Sequence, residues 1–170
     1  MPTKAIYGLS YVKVGATGTN GAMGATLVAI PAIADGTFNI DFAEPTTTEF
    51  IPEDYDSALI VISKPGAKKI VFETQNMDTS QLITAFGGAI ALTVFTPGVQ
   101  FNLPEQSLEF KTRANGGTAQ TWKFPRTQGV ASISGNLTKN DLMKLKFSYS
   151  VLTPVDGANV PLPEFTVTQA

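Results

Sequence analysis

Runs rich in Val, Ile, Phe and Thr alternate along the chain with glycines and prolines at short intervals. That rhythm predicts an all-β domain of many short strands. The clearest period-two segment is GTFNIDF, residues 36–42. Phe38, Ile40 and Phe42 fall on one face and Thr37, Asn39 and Asp41 on the other, as a half-buried strand requires. Residues 5–14 (AIYGLSYVKV) read as a first strand. Residues 25–33 are an apolar run that Pro31 ends or confines to an edge. ALIVIS, 58–63, is a continuous apolar run suited to a core strand, and KIVFETQ, 69–75, reads as the next strand. With Pro65-Gly66 between them, 58–75 is predicted to be a hairpin. Further strands are predicted at 89–95, 106–113, 119–125, 127–135 and 145–153. Residues 106–125 would form a second hairpin about Asn115-Gly116-Gly117. The Pro-rich tail, 154–170, is expected to be extended and to end in an edge strand, EFTVTQ.

One short helix is predicted over 79–86. Asp78 stands at its N-cap, and Gln81 follows at capping-box spacing. Leu82, Ile83 and Phe86 share a face, and Gly87-Gly88 supplies the left-handed termination that glycine adopts cheaply. A weaker helical turn is expected at 138–143. Residues 15–24 (GATGTNGAMG) read as a flexible loop. Residues 43–57 (AEPTTTEFIPEDYDS) read as a long polar, acidic excursion. No interdomain linker interrupts the pattern, so 1–170 is expected to be a single β domain.

Composition narrows the chemistry. The 170 residues include no His and no Cys. Ser-His-Asp triads, cysteine nucleophiles, structural zinc sites, His-ligated haem and iron–sulfur clusters are thereby removed, and no disulfide framework exists. The glycines at 15, 18, 21 and 24 lack the Lys and the following helix of a phosphate-binding loop. Glu53, Asp54 and Asp56, near Glu49, would offer oxygen ligands to Ca²⁺, but the spacing is not that of an EF-hand, and a solvated acidic loop is the simpler reading. A glycosidase carboxylate pair needs a cleft that nothing in the sequence indicates. Lys64, Lys68, Lys69, Lys111, Arg113, Lys123 and Arg126 lie at hairpin ends, where such charges ordinarily protect strand edges. Trp122 and the eleven Phe are expected in the core. No catalytic residue, cofactor or metal is expected. No 18-residue apolar run occurs, and Met1–Gly15 lacks a secretory apolar stretch, so neither a membrane span nor a secretory signal is expected.

The net charge is −2, with a pI near 5.1. That disfavours a protein whose task is to grip nucleic acid. Only 15% of residues are charged, against about 25% in a typical soluble protein. A surface so poor in charge suggests that neighbours cover much of it, because assembly interfaces are more apolar than ordinary surface.

The order of elements then resembles a known family. An N-terminal strand, a Gly-rich loop, GTFNIDF, the EPTTTEF excursion, the expected 58–75 hairpin and NMDTSQLITAFGG resemble the major tail tube proteins of long-tailed bacteriophages. The helix motif is carried here by Asp78, Leu82, Phe86, Gly87 and Gly88. The resemblance implies a mainly β fold: an antiparallel β-sandwich or partly closed β-barrel with one short flanking α-helix. It implies a virion structural protein, not an enzyme, that forms hexameric rings stacked into a channel for DNA passage. Its partners would be itself, other tail proteins and DNA passing without specific binding, and its place the virion tail, or the host cytoplasm during assembly. The excursion would supply assembly contacts, with Glu44, Thr47, Glu49, Phe50, Ile51, Glu53, Asp54 and Tyr55 as candidates. A contrasting reading is a monomeric β-sandwich binding module, an adhesin or carbohydrate-binding domain, which should expose aromatic side chains in a cleft or on a flat face.

Overall fold

The computed structural model describes residues 7–51, 53, 57, 60–98, 104–114, 118–135 and 142–169. It is mainly β, with antiparallel pairing and one α-helix among the described residues. The strands are β1 (Tyr7–Ala16), β2 (Val28–Ala29), β3 (Asn39–Phe42), β4 (Thr46–Phe50), β5 (Ile60–Lys64), β6 (Lys68–Thr74), β7 (Ala89–Ala91), β8 (Val94–Thr96), β9 (Gln106–Arg113), β10 (Gln120–Ser134), β11 (Lys144–Val151) and β12 (Thr166–Gln169). The helix α1 spans Thr79–Phe86. It is far too short to cross a membrane, and no helix among the described residues is long and apolar enough to do so.

The main sheet has eight strands, ordered β2-β1-β9-β10-β11-β6-β3, with β12 on β10. It folds over on itself about β10, which is 15 residues long. The first part of β10 pairs with β9 and β12, and the part from Thr127 onward pairs with β11. Two strands were expected here, at 119–125 and 127–135. They are one strand, because Pro125 falls where the β9 register shifts, between Phe124 and Thr127. A proline without an N–H is tolerated at such an irregularity, which bends the strand without ending it.

The core lies between the two halves. Val12, Val14, Leu108, Phe110 and Phe124 come from one half, and Ile70, Phe72, Leu145, Phe147 and Tyr149 from the other, all buried. Aromatic rings connect them. Phe147 stacks on Phe72 at 5.2 Å, and Phe38 bridges Phe72, 6.1 Å away, to Phe110, 5.0 Å away. Phe110 stacks on Trp122, and Trp122 on Phe165, each at 5.6 Å. Ring pairs in these geometries add about 0.5–1.5 kcal/mol each beyond the area they bury. The tail edge strand is present as β12, opposite Gln120–Lys123.

The 25–33 run contributes less regular structure than its apolar character predicts. Only Val28 and Ala29 pair with β1, and Ile33 makes a lone bridge to Thr74. Thr74 holds that segment with its own hydroxyl, which donates to the Pro31 carbonyl at 2.6 Å. The glycine-rich segment is held by one bond within it and by another that anchors its end to β9. The Gly18 N–H donates to the Ala22 carbonyl, and the Gly24 N–H donates to Ser107 Oγ at 2.9 Å.

The helix spans 79–86 as the capping signals predict, with Gly87 closing it at φ 64°. Its details differ from the sequence reading. The Asp78 carboxylate accepts the hydroxyls of Thr79 and Ser80 in place of a backbone N–H. Gln81 turns inward instead of completing a capping box, and Gln81 and Ala85 are the buried positions, with Leu82, Ile83 and Phe86 half-buried. Most of the weak helical turn at 138–143 lies outside the described residues; Leu142 and Met143, which are described, are not helical.

Two hairpins stand apart from the main sheet, and both correct the sequence reading. The segment 89–95 is not one strand. It reverses at Leu92-Thr93 so that β7 pairs with β8. Nor do the described residues of 58–75 form a hairpin, and Ile60–Ser63 is not a core strand; residues 58 and 59 lie outside the described residues. β5 pairs with β4, while β6 pairs with β3 and β11, and every residue of β5 is exposed.

Candidate assembly surface

The β4–β5 arm continues the β3–β6 pairing outward. Phe42 lies opposite Lys68, and Thr46 opposite Lys64, four positions further along each strand. The register therefore runs unchanged through the gap and sets Pro45 opposite Pro65. Neither proline has an N–H to give the ladder, so the hairpin breaks there and the arm leaves the sheet. Just inside the break the chains stay close. The Ala43 N–H donates to the Ala67 carbonyl at 2.9 Å, and a Cβ on Gly66 would fall 1.9 Å from the Ala43 oxygen. Glycine is required at 66 for this close backbone approach, not for a tight reversal of the chain. The chain runs on through 65–67 from β5 into β6 without reversing, as the shared register shows.

Alternation sorts the arm into two faces. Thr48, Phe50, Ile60 and Ile62 lie on one, and Thr47, Glu49, Val61 and Ser63 on the other. All are exposed, and Phe50, Ile51, Ile60, Val61 and Ile62 each show more than half of their surface to solvent. A two-stranded hairpin is marginal in water without a further strand or a packed face. The isolated chain supplies neither to this arm among its described residues.

The candidate contact residues are distributed as follows. Thr47, Glu49 and Phe50 lie in β4, Ile51 follows it, Glu44 precedes the proline break, and Glu53 is exposed beyond it. Asp54 and Tyr55 lie outside the described residues. The excursion was expected to be polar and extended. Its residues Thr46–Phe50 form a strand, and the partner of that strand is Ile60–Lys64, most of which the sequence pattern places in the core. Ile60, Val61 and Ile62 are thus the surface residues that the sequence reading missed. The signal available was the pairing of two prolines at equal distances from a common turn.

The helix motif sets up the second hairpin. The Asp78 carbonyl accepts the N–H groups of Gln81 and Leu82. Gly87 and Gly88 both have positive φ, and a Cβ on Gly88 would lie 2.1 Å from the Thr96 oxygen. The glycine pair thus ends α1 and lets β8 pass against it. At the tip of this hairpin Leu92 is fully exposed at φ 57°, flanked by the exposed Ile90 and Val94. From Gly87 to Pro97 there is no charged residue.

Among the described residues the charged side chains form separate pairs. Arg126 holds Glu105 through two bonds of 2.7 and 2.6 Å and also donates to the Thr153 carbonyl. Lys68 pairs with Glu164, and Lys123 reaches Glu109 at 3.7 Å. The Arg126 hydrogen bonds hold the Glu105 carboxyl below the usual carboxylate range, and Lys68 does the same for Glu164. Among the described residues no three acidic side chains gather into a metal-binding group. A cavity of about 240 Å³ lies beside the glycine-rich segment, lined by Thr17, Gly18, Gly21, Ala22, Glu105, Pro125, Arg126 and Val155. It contains no aromatic side chain, and its one ion pair is already self-satisfied. Burial pushes the Tyr149 phenol above its ordinary ionisation range, and its hydroxyl donates to Gln106 Oε1 at 3.1 Å inside the core.

Compared with known proteins, the chain matches no protein-family model and no curated protein sequence.

Proposed function

We propose that this chain is a structural subunit of a bacteriophage tail tube, assembling with copies of itself into stacked rings around a channel for DNA. The observation that carries the reading is the β4–β5 arm. It presents Phe50, Ile51, Ile60, Val61 and Ile62 to solvent on a hairpin that its own chain leaves uncovered among the described residues. A contiguous exposed apolar patch marks an interaction site, and a long, apolar, unprotected edge is an aggregation hazard unless assembly covers it. The Leu92 hairpin adds a second surface of the same character. The rings of Phe38, Phe72, Phe110, Trp122, Phe147 and Phe165 pack into the core, which leaves them unavailable as a flat recognition face and favours assembly over a glycan-binding module. A modestly acidic subunit suits a passage for DNA, because basic contacts to phosphate would retard it.

The test is negative-stain electron microscopy across a concentration series, with light scattering for mass. Rings or hollow tubes that grow with concentration are the expected result. A monomer at every soluble concentration would overturn the proposal, and glycan binding on an array would then favour the binding module.

A further inference from the structure

Beyond Thr127 the outer edge of β10 has no described strand beside it. β9 reaches only as far as Gln106 opposite Thr127, while β11 follows the other edge to Ser134. The edge from Gln128 to Ser134 reads QGVASIS, without a charge or a proline. Strand edges in self-sufficient proteins are guarded by such residues or by a covering element. Helix α1 packs against β10 on the core side, where Ala85, Phe86 and Ala131 join one cluster. Val130 and Ile133 stay exposed, at 67% and 44%.

The arm offers the matching half. The edge of β5 that faces away from β4 runs from Ile60 to Ser63 without a charge. The five residues of β5 fit within the seven from Gln128 to Ser134. The other edge of the arm carries Glu49 and is the poorer donor. The arm does not reach its own chain's edge. Lys69 pairs with Ser150, and Ser150 with Gln128, so the arm leaves the sheet at the level of Gln128 and points away from Ser134. Arm and open edge therefore face opposite ends of the molecule.

Resting on the assembly reading above, we infer that β5 of one copy adds as a strand to the Gln128–Ser134 edge of β10 in the next. The contact is heterologous. Each copy donates an arm and accepts one, which generates closed rings or open stacks according to the rotation between copies. Backbone hydrogen bonds supply the pairing, and Ile60, Val61 and Ile62 meet Val130 and Ile133.

The chain has no cysteine, so disulfide trapping needs no background removal. Val61→Cys is mixed with Gln128→Cys, Val130→Cys or Ser132→Cys, a set that covers alternative registers within disulfide reach. Assembly is followed by light scattering and crosslinking by non-reducing gel. The expected result is a covalent heterodimer for at least one mixture, and a ladder when both cysteines are on one chain. Assembly with Val61→Cys bonding only to itself, or with no crosslink in any mixture, overturns the inference and leaves the assembly reading standing. Failure to assemble at any concentration overturns both. Val130→Lys provides a second readout. It should leave the melting temperature unchanged and raise the concentration needed for assembly about tenfold or more, equivalent to 1.4 kcal/mol or more; assembly unaffected by a lysine on that edge counts against strand addition.

Discussion

Phe72 and Phe50 are the same side chain, on strands drawn from one continuous hairpin, and they meet opposite fates. Phe72 sits in β6 on the inner side of the Pro45–Pro65 break, covered by Phe38, Phe147 and Tyr149. Phe50 sits in β4 on the outer side and is half exposed. The strand that carries Phe50 is itself polar, TTTEF, but its partner β5, IVISK, is as apolar as β6, KKIVFET. What separates them is position relative to a pair of opposed prolines, which ends the sheet on one side and begins an arm on the other. Apolar character sets how strongly a segment seeks cover, and topology decides whether its own chain provides it.

The largest effect that separates the two regions should come from truncating each. Phe72→Ala should cost about 3–5 kcal/mol, as large-to-small changes at fully buried aromatic sites do, whereas Phe50→Ala should change the stability of the monomer by no more than about 0.5 kcal/mol. Denaturant midpoints of the two variants at a concentration below assembly check this. Equal losses would mean that the arm packs on its own chain.

Next in size is Gly129→Ala. A Cβ there would come within 2.6 Å of the Tyr149 ring. Overpacking of this kind costs about 1–3 kcal/mol, and a thermal melt would read it. Gln81→Met should act in the opposite direction. The Gln81 side-chain oxygen is buried without a hydrogen-bond partner among the described residues, a condition that costs about 1–3 kcal/mol, so the substitution should raise the denaturant midpoint.

The smallest effect concerns acid. The hydrogen bonds from Arg126 and Lys68 let Glu105 and Glu164 ionise at lower pH in the folded chain than in the unfolded one. Their contribution is therefore complete above the unfolded carboxylate range and is lost as pH falls through the folded values. Both pairs are partly solvated, so each contributes no more than about 1 kcal/mol. Glu105→Gln should flatten that part of the stability–pH curve and leave the neutral-pH behaviour of the arm untouched.

The core half of this comparison is legible in the sequence. Alternation placed Phe38, Ile40 and Phe42 on one face, and all three pack on the core while Asn39 and Asp41 are exposed. The 106–113 strand and the helix at 79–86 occupy the residues that local signals indicate. These features depend on short-range periodicity and capping. The arm does not. ALIVIS has the composition of a buried strand, and Pro65-Gly66 that of a reversing turn. Their actual roles follow from pairing Thr46–Phe50 with Ile60–Lys64, a register that no local window contains. The inward turn of Gln81 was equally hidden, because capping-box spacing says nothing about the core that the helix covers. Of the candidate contacts, Phe50 and Ile51 were read from the excursion, while Ile60, Val61 and Ile62 were masked by their own hydrophobicity.

In the proposed assembly a neighbouring copy covers the arm that the single chain leaves exposed. Sedimentation velocity of the wild type beside Ile60→Glu/Ile62→Glu, over a concentration series at neutral pH, tests that contact most directly. The wild type should form large, concentration-dependent species, and the double variant should remain monomeric with an unchanged melting temperature. A double variant that assembles like the wild type would show that the arm is not the contact, and one that unfolds would show that the arm is part of the core.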